Sequence, residues 1–253
     1  SGRFLLFGGD VIVNGNLDVS STGTSGNPSL YFAAGGARIM GGTSQGVGVF
    51  TVNNGAVVRN TFNSTSSGGA TTPISTQFPN WGSLILNAGS TWQYATISGS
   101  TGIRYQDVQD SYNGNLISYK NLLITYLNGT VATDNTTNTN ITNPSIATSL
   151  AIEMSPGSGS TTLTQNITFA NPSLLTIPSL SVTQTGVSGQ TQNQNIILGS
   201  QPITVTGNVV LQSATGTATA TSTVLQLNEG LFRVNGNLTV GTNGTTIPFN
   251  TPY

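Results

Sequence analysis

Apolar and polar residues alternate along much of this chain, in short runs interrupted by Gly, Asn and Pro. The alternation is clearest in a nine-residue pattern that occurs three times, starting at Val11, Ile203 and Phe232. The first, third, seventh and ninth positions are apolar in every copy, and the fifth is Gly. Since successive side chains of a strand point to opposite faces, these five positions share one face. The pattern predicts that six side chains are buried: Val13, Leu17, Val205, Val209, Val234 and Leu238.

The central glycines of the three copies, Gly15, Gly207 and Gly236, allow three conformations. Asn-Gly between apolar runs is a strong signal for a two-residue hairpin, but that turn would place Val13 and Leu17 on opposite faces. A hairpin with a three-residue loop restores their pairing. A strand that bends at an inward-facing Gly, as at the corner of a solenoid, also fits, because a side chain there would collide with the core.

The whole chain has the character of an all-β protein, because no long 3.6-residue apolar period occurs and short β segments dominate. Gly207 and Gly236 lie 29 residues apart, which is close to one coil of a β-solenoid. Spacings elsewhere are irregular, so an elongated β-sandwich or jelly roll remains the alternative. We expect residues 1–253 to form one elongated domain, with two lobes that would meet near residue 145. The Thr- and Asn-rich segment Thr133–Asn143 is interpreted as a polar loop.

Charged residues make up 5% of the chain and the net charge is −1, so no basic surface is available for nucleic acid or an anionic membrane. Histidine and cysteine are absent, which removes the commonest general base, every thiol mechanism and the usual zinc sites. No apolar run is long enough to insert into a membrane as a helix. We therefore predict no enzymatic activity, no metal and no cofactor. The surface of Thr, Ser, Asn and Gly, and a start at Ser1 with no signal peptide, indicate a processed extracellular protein.

The units Val13–Leu17 and Val234–Val240 resemble the Gly-Asn-Leu-Thr-Val units of β-solenoid surface adhesins and extracellular fibre proteins. The resemblance covers the three copies strictly and about half of the chain loosely. It implies a secreted protein with a structural or adhesive role. It supplies no catalytic residues.

Three groups of residues are candidates for binding or modification. Asp107 and Asp110 are a close carboxylate pair that could bind a cation or act as acid and base, although solvated loop residues are the simpler interpretation. Trp81, Trp92 and Tyr94 begin an aromatic cluster that could contact a glycan or a partner, or could fill the core. Seven Asn-x-Ser/Thr sequons occur, and Asn135 and Asn140 are the favoured glycosylation sites because they lie in the predicted loop.

The segment Phe4, Leu5, Leu6 and Phe7 is a compact apolar run near the start of the chain, with Arg3 as the one adjacent charge that could protect an edge strand. It is either a strand donated to a neighbouring subunit or the first strand of its own sheet. The sequence thus predicts a structural subunit of a secreted filament or surface layer. Its partners would be other copies of itself, joined by strand addition or end-to-end β stacking. A glycan-binding adhesin or a viral spike module is the alternative.

Overall fold

A computed structural model describes residues 11–13, 16–19, 49–62, 83–98, 102–108, 110–112, 115–128, 135–155, 162–185, 189–212, 220–226 and 230–241. Within these ranges the chain forms strands and connecting turns, and it contains no helix. The strands, in chain order, are β1 (Val11–Val13), β2 (Asn16–Val19), β3 (Val49–Val52), β4 (Val57–Phe62), β5 (Ser83–Leu86), β6 (Thr91–Ser98), β7 (Gly102–Val108), β8 (Ser111–Tyr112), β9 (Asn115–Leu116), β10 (Ser118–Asn128), β11 (Asn135–Ile141), β12 (Ser145–Ser155), β13 (Thr162–Phe169), β14 (Leu175–Ile177), β15 (Leu180–Gln184), β16 (Thr191–Ile197), β17 (Ile203–Val205), β18 (Val209–Gln212), β19 (Ala220–Gln226), β20 (Phe232–Val234) and β21 (Leu238–Val240).

The strands stack in parallel as a β-solenoid, which confirms the solenoid prediction. An eight-stranded sheet runs in the order β2-β4-β6-β10-β12-β15-β18-β21, and a five-stranded sheet runs in the order β19-β16-β13-β11-β7. Two three-stranded sheets, β1-β3-β5 and β14-β17-β20, form a further face. The antiparallel sandwich is excluded, since these sheets pair only parallel strands. The two-lobe division near residue 145 stays a prediction, although the eight-stranded sheet continues on both sides of β12.

The core consists of columns in which each level of the eight-stranded sheet contributes one side chain. One column follows the register partners Leu17, Val58, Trp92, Leu122, Leu150, Leu180, Val209 and Leu238. The six inner members of this column are all buried. A column of this kind buries each apolar side chain between the levels before and after it, so stability depends on neighbouring levels.

The corners between sheets explain the nine-residue pattern. β17 and β18 belong to different sheets, and so do β20 and β21, so each unit is one strand that turns a corner at its glycine. This confirms the third of the three conformations. We expected a side chain at the corner glycine to collide with the core, but the structure shows a different obstacle. A Cβ on Gly207 would lie 2.6 Å from the carbonyl oxygen of Pro178, and one on Gly236 would lie 2.5 Å from that of Gly207. The obstacle is the backbone of the preceding level and not the core, and Gly15 lies outside the described residues.

A second kind of corner occurs in the N-terminal half, where four residues separate β3 from β4 and β5 from β6. Here Gly55 and Gly89 have φ values of 75° and 77°, which favour glycine. The two corners stack through a hydrogen bond of 3.2 Å from the Gly55 N–H to the Gly89 carbonyl oxygen. Asn-Gly also marks the antiparallel pair β8–β9, in which Tyr112 is the register partner of Asn115. The same dipeptide thus occurs both between two paired antiparallel strands and at corners between sheets.

The prediction of a polar loop over Thr133–Asn143 is wrong, because β11 occupies most of it. β11 pairs with β7 on one side and β13 on the other, with Thr137 and Thr139 buried. Its Asn138 begins a ladder of amides in which Asn166 donates to Asn138 and Asn195 donates to Asn166, both at 2.8 Å. Backbone pairing and side-chain amide bonds therefore hold a strand that has little apolar alternation.

Candidate assembly surface

The described part of the solenoid ends at the level formed by β20 and β21, which we call the C-terminal end. β20 is an edge strand of its three-stranded sheet, and β21 is an edge strand of the eight-stranded sheet. Among the described strands, β1 and β2 lie at the opposite edges, which we call the N-terminal end. Edge strands present unpaired backbone N–H and C=O groups, so both ends can accept a further parallel strand.

The C-terminal end also exposes apolar side chains that continue the core columns. Leu238 is 45% exposed and Val240 is 40% exposed, whereas their register partners Val209 and Leu211 are buried at 0% and 1%. Leu231 precedes β20 in the same level and is 58% exposed, but it shares the outward phase of Arg233 and belongs to no core column. In the preceding level, formed by β17 and β18, the strand β21 covers the side chains at the same positions, Val209 and Leu211. The predicted burial of Val205 and Val209 is confirmed. The predicted burial of Leu238 is wrong, and Val234 is half-buried against the core.

The corner of the C-terminal end repeats the bonding of the level before it. The Gly236 N–H donates to the Gly207 carbonyl oxygen at 3.1 Å, and the Asn237 N–H donates to the Asn208 side-chain oxygen at 3.0 Å. The Val209 N–H donates to the Asn237 carbonyl oxygen at 2.8 Å, as the Leu180 N–H does to the Asn208 carbonyl oxygen at 3.1 Å. Each Asn-Gly-Asn corner thus offers a fixed set of donors and acceptors to its neighbour.

The candidate contacts Trp92 and Tyr94 lie in the core, at 3% and 0% exposure, which agrees with the core-filling interpretation of these aromatic residues. Trp92 packs edge-on against Phe50 with ring centroids 6.4 Å apart. The hydroxyls of Tyr94 and Tyr119 share a hydrogen bond of 2.7 Å, and burial raises the pKa of Tyr119 well above its ordinary value. These aromatic rings therefore serve packing between levels, and Trp81 lies outside the described residues.

A groove of about 360 Å³ lies between β5 and the β8–β9 pair, lined by Ser83, Leu84, Ile85, Leu86, Asn115, Leu116, Ile117 and Ser118. Ile85 and Leu116 are exposed along it. The lining contains neither an aromatic ring nor a charged side chain. It therefore lacks the stacking surface that sugar recognition commonly uses.

The favoured sequons lie in β11 and not in a loop. Asn140 is half-buried there and Asn135 is the first residue of the strand, so the loop argument for their glycosylation no longer applies. A further sequon residue, Asn166, is occupied by the amide ladder. The glycan state of Asn135 and Asn140 stays a prediction.

Asp107 lies in β7, and Asp110 lies just after that strand. The carbonyl oxygen of Asp110 accepts a hydrogen bond from the Ile117 N–H at 2.9 Å. Among the residues that the structure describes, no three carboxylate, His or Cys side chains come together as a metal site.

The predicted assembly strand Phe4–Phe7 lies outside the described residues.

A cluster of buried glutamine side chains lies inside the solenoid where β15, β16 and β19 meet. Gln194 donates to Gln165 at 2.9 Å, and Gln184 donates to the Ser222 carbonyl oxygen at 2.8 Å. Sequence analysis missed this group, although its signal was available: alternating Gln190, Gln192 and Gln194 share the phase of apolar Ile196 and Leu198.

Comparison with protein-family models, with curated proteins and with solved structures finds no match for this chain. No helix in the described ranges is long and apolar enough to cross a membrane. The argument for function therefore depends on the surfaces of the solenoid itself.

Proposed function

We propose that this protein is a structural subunit of a secreted extracellular filament or surface layer, and that copies join end to end by β stacking. The observation that carries the proposal is the C-terminal end of the described solenoid, where two edge strands and the exposed core-column residues Leu238 and Val240 occupy one level. A solenoid needs a polar cap at its ends to remain monomeric, because each level buries its apolar face only against a neighbour.

The composition supports the same proposal. With 5% charged residues and a net charge of −1, copies can approach closely without strong repulsion. The exposed polar side chains are mostly hydroxyls and amides, and the chain has no Cys that a change of redox environment would affect. These features suit a protein that works outside the cell.

The adhesin or spike alternative receives less support. It depended on the aromatic cluster, and Trp92, Tyr94, Tyr119 and Tyr126 are all buried. The groove beside β5 provides no replacement, since aliphatic and small polar side chains line it. Donation of Phe4–Phe7 to a neighbour remains a second route to the same filament.

Electron microscopy and sedimentation of the purified protein over a range of concentrations test the proposal. We expect filaments in the parent protein and monomers in Leu238→Glu, because the exposed Leu238 can carry a charge in the monomer but not in a buried joint. Thr176→Glu is the matched control, since Thr176 is exposed on the flank of β14 and should leave filaments intact. Monomers of the parent protein at every concentration would contradict the proposal.

A further inference from the structure

We infer that the joint between copies is one further level of the solenoid, in a single defined register. The unit Val11–Val19 of one copy stacks directly on the unit Phe232–Val240 of the next, so that Val11 faces Phe232, Leu17 faces Leu238 and Val19 faces Val240. This inference rests on the proposed function and adds the surface, the partner segment and the register.

The first argument is that the two ends of the described solenoid carry the same nine-residue unit. β1 and β2 contain one copy, and β20 and β21 contain another; in each copy the second strand is an edge of the eight-stranded sheet and the first belongs to a three-stranded sheet. The remaining copy, in β17 and β18, already stacks on the C-terminal copy inside the molecule. There Ile203 pairs with Phe232 and Val209 with Leu238. The chain thus contains one example of the joint between two such units.

The second argument comes from the core columns. The column that ends at Leu238 begins at Leu17, and the column that ends at Val240 begins at Val19. In the inferred register each column passes into the next copy without an offset. The exposed Leu238 and Val240 then receive the same cover that Val209 and Leu211 receive from β21.

The third argument concerns the corner. Within the molecule the N–H of one corner glycine donates to the carbonyl oxygen of the glycine below, from Gly236 to Gly207. In the joint the unit Val11–Val19 takes the place of Phe232–Val240, and Phe232–Val240 takes that of Ile203–Leu211. The Asn237 side-chain oxygen then accepts the Asn16 N–H, as Asn208 accepts that of Asn237. Gly236 shows that the upper unit of such a pair needs glycine at its corner, and the sequence has glycine at the matching position of Val11–Val19.

The geometry also fixes the form of the assembly. β2 and β21 are opposite edges of one parallel sheet, so the contact joins two different surfaces and leaves the same two surfaces free at the ends of any oligomer. Such a head-to-tail contact gives an open filament unless its rotation closes a ring.

Cysteine cross-linking tests the register, and the absence of native Cys removes background disulfides. The double variant Asp18→Cys/Thr239→Cys places two thiols on facing residues of the inferred joint. Facing strands lie about 4.8 Å apart, within the reach of a disulfide. Within one copy the two positions lie at opposite edges of an eight-stranded sheet, roughly 34 Å apart, so they cannot cross-link internally.

Oxidation of this variant should give a ladder of covalent oligomers on a non-reducing gel. A second in-register pair, Ile12→Cys/Arg233→Cys, should give the same ladder and guards against misfolding of the first variant. The control Asn16→Cys/Thr239→Cys is two residues out of register and should give little product.

The outcomes separate the inference from the proposed function. A ladder from both in-register pairs, and little from the control, supports the joint. Filaments that cross-link through the control pair, or through neither in-register pair, overturn the register while the filament function stands. If the parent protein and all variants stay monomeric at every concentration, both the function and the joint are wrong.

Discussion

At the scale of single residues, the corner glycines are fixed by contact between levels. A Cβ on Gly207 would lie 2.6 Å from the Pro178 carbonyl oxygen, which is part of a hydrogen-bonded backbone and cannot move aside. We expect Gly207→Ala to lower the free energy of unfolding by about 1–3 kcal/mol, the usual cost of overpacking. The measurement is urea denaturation of the assembly-deficient Leu238→Glu background. Thr206→Ala, at an exposed neighbouring position, is the control, and equal stability of the two variants would contradict the corner argument.

Tyr119 gives a prediction for alkaline pH. Burial, with help from the hydroxyl of Tyr94, raises the pKa of Tyr119 in the folded protein above its value of about 10 in the unfolded chain. The unfolded state therefore loses this proton first, and stability falls as pH rises above about 10. We expect Tyr119→Phe to show a shallower decline in unfolding free energy between about pH 9 and 11. A decline as steep as that of the parent protein would show that Tyr119 ionises equally in both states.

Residue patterns predicted inward-facing positions well where the strand was regular and less well where it was not. Tyr119 and Tyr126 are seven residues apart, so strict alternation places them on opposite faces. Both are buried, because the inward phase of β10 changes between Tyr119 and Leu122, at the point where its pairing with β12 contains a bulge. A bulge of this kind changes the phase of the strand and leaves no clear signal in the sequence. For Trp92 and Tyr94 the sequence allowed both a core position and a binding surface, and their burial agrees with the core position.

At the scale of elements, the sequence predicted strands from apolar alternation, and it missed β11 because that strand has almost none. Its stability comes from neighbours on both sides and from the ladder through Asn138, Asn166 and Asn195. Such neighbours become visible only once the chain has coiled, since the bonded residues are 28 and 29 positions apart. The corner units were predictable, because each carries its glycine and its apolar phase within nine residues.

The last level should be the least protected element of the monomer. β21 pairs on one side only, and Leu238 and Val240 are partly exposed, whereas β12 pairs on both sides and is buried. In hydrogen exchange of Leu238→Glu we expect amides of β20 and β21 to exchange at least tenfold faster than those of β12 and β15. In filaments of the parent protein, β20 and β21 should gain protection. Unchanged exchange of β20 and β21 on assembly would place the contact elsewhere.

At the scale of the whole molecule, the described strands form a stack of levels whose first and last levels carry matching units. Its eight-stranded sheet spans the described levels, so one copy occupies about 38 Å along the stacking direction, at roughly 4.8 Å per strand. The open end, the low charge and the repeat of one unit at both ends all favour growth along this direction.

Fibre diffraction from aligned filaments tests the central claim most directly, because it reports both the strand spacing and its orientation. End-to-end stacking predicts a strong reflection near 4.8 Å along the filament axis, together with an axial subunit repeat of about 38 Å. A 4.8 Å spacing perpendicular to the axis would contradict the account, because the solenoids would then lie side by side and not in line.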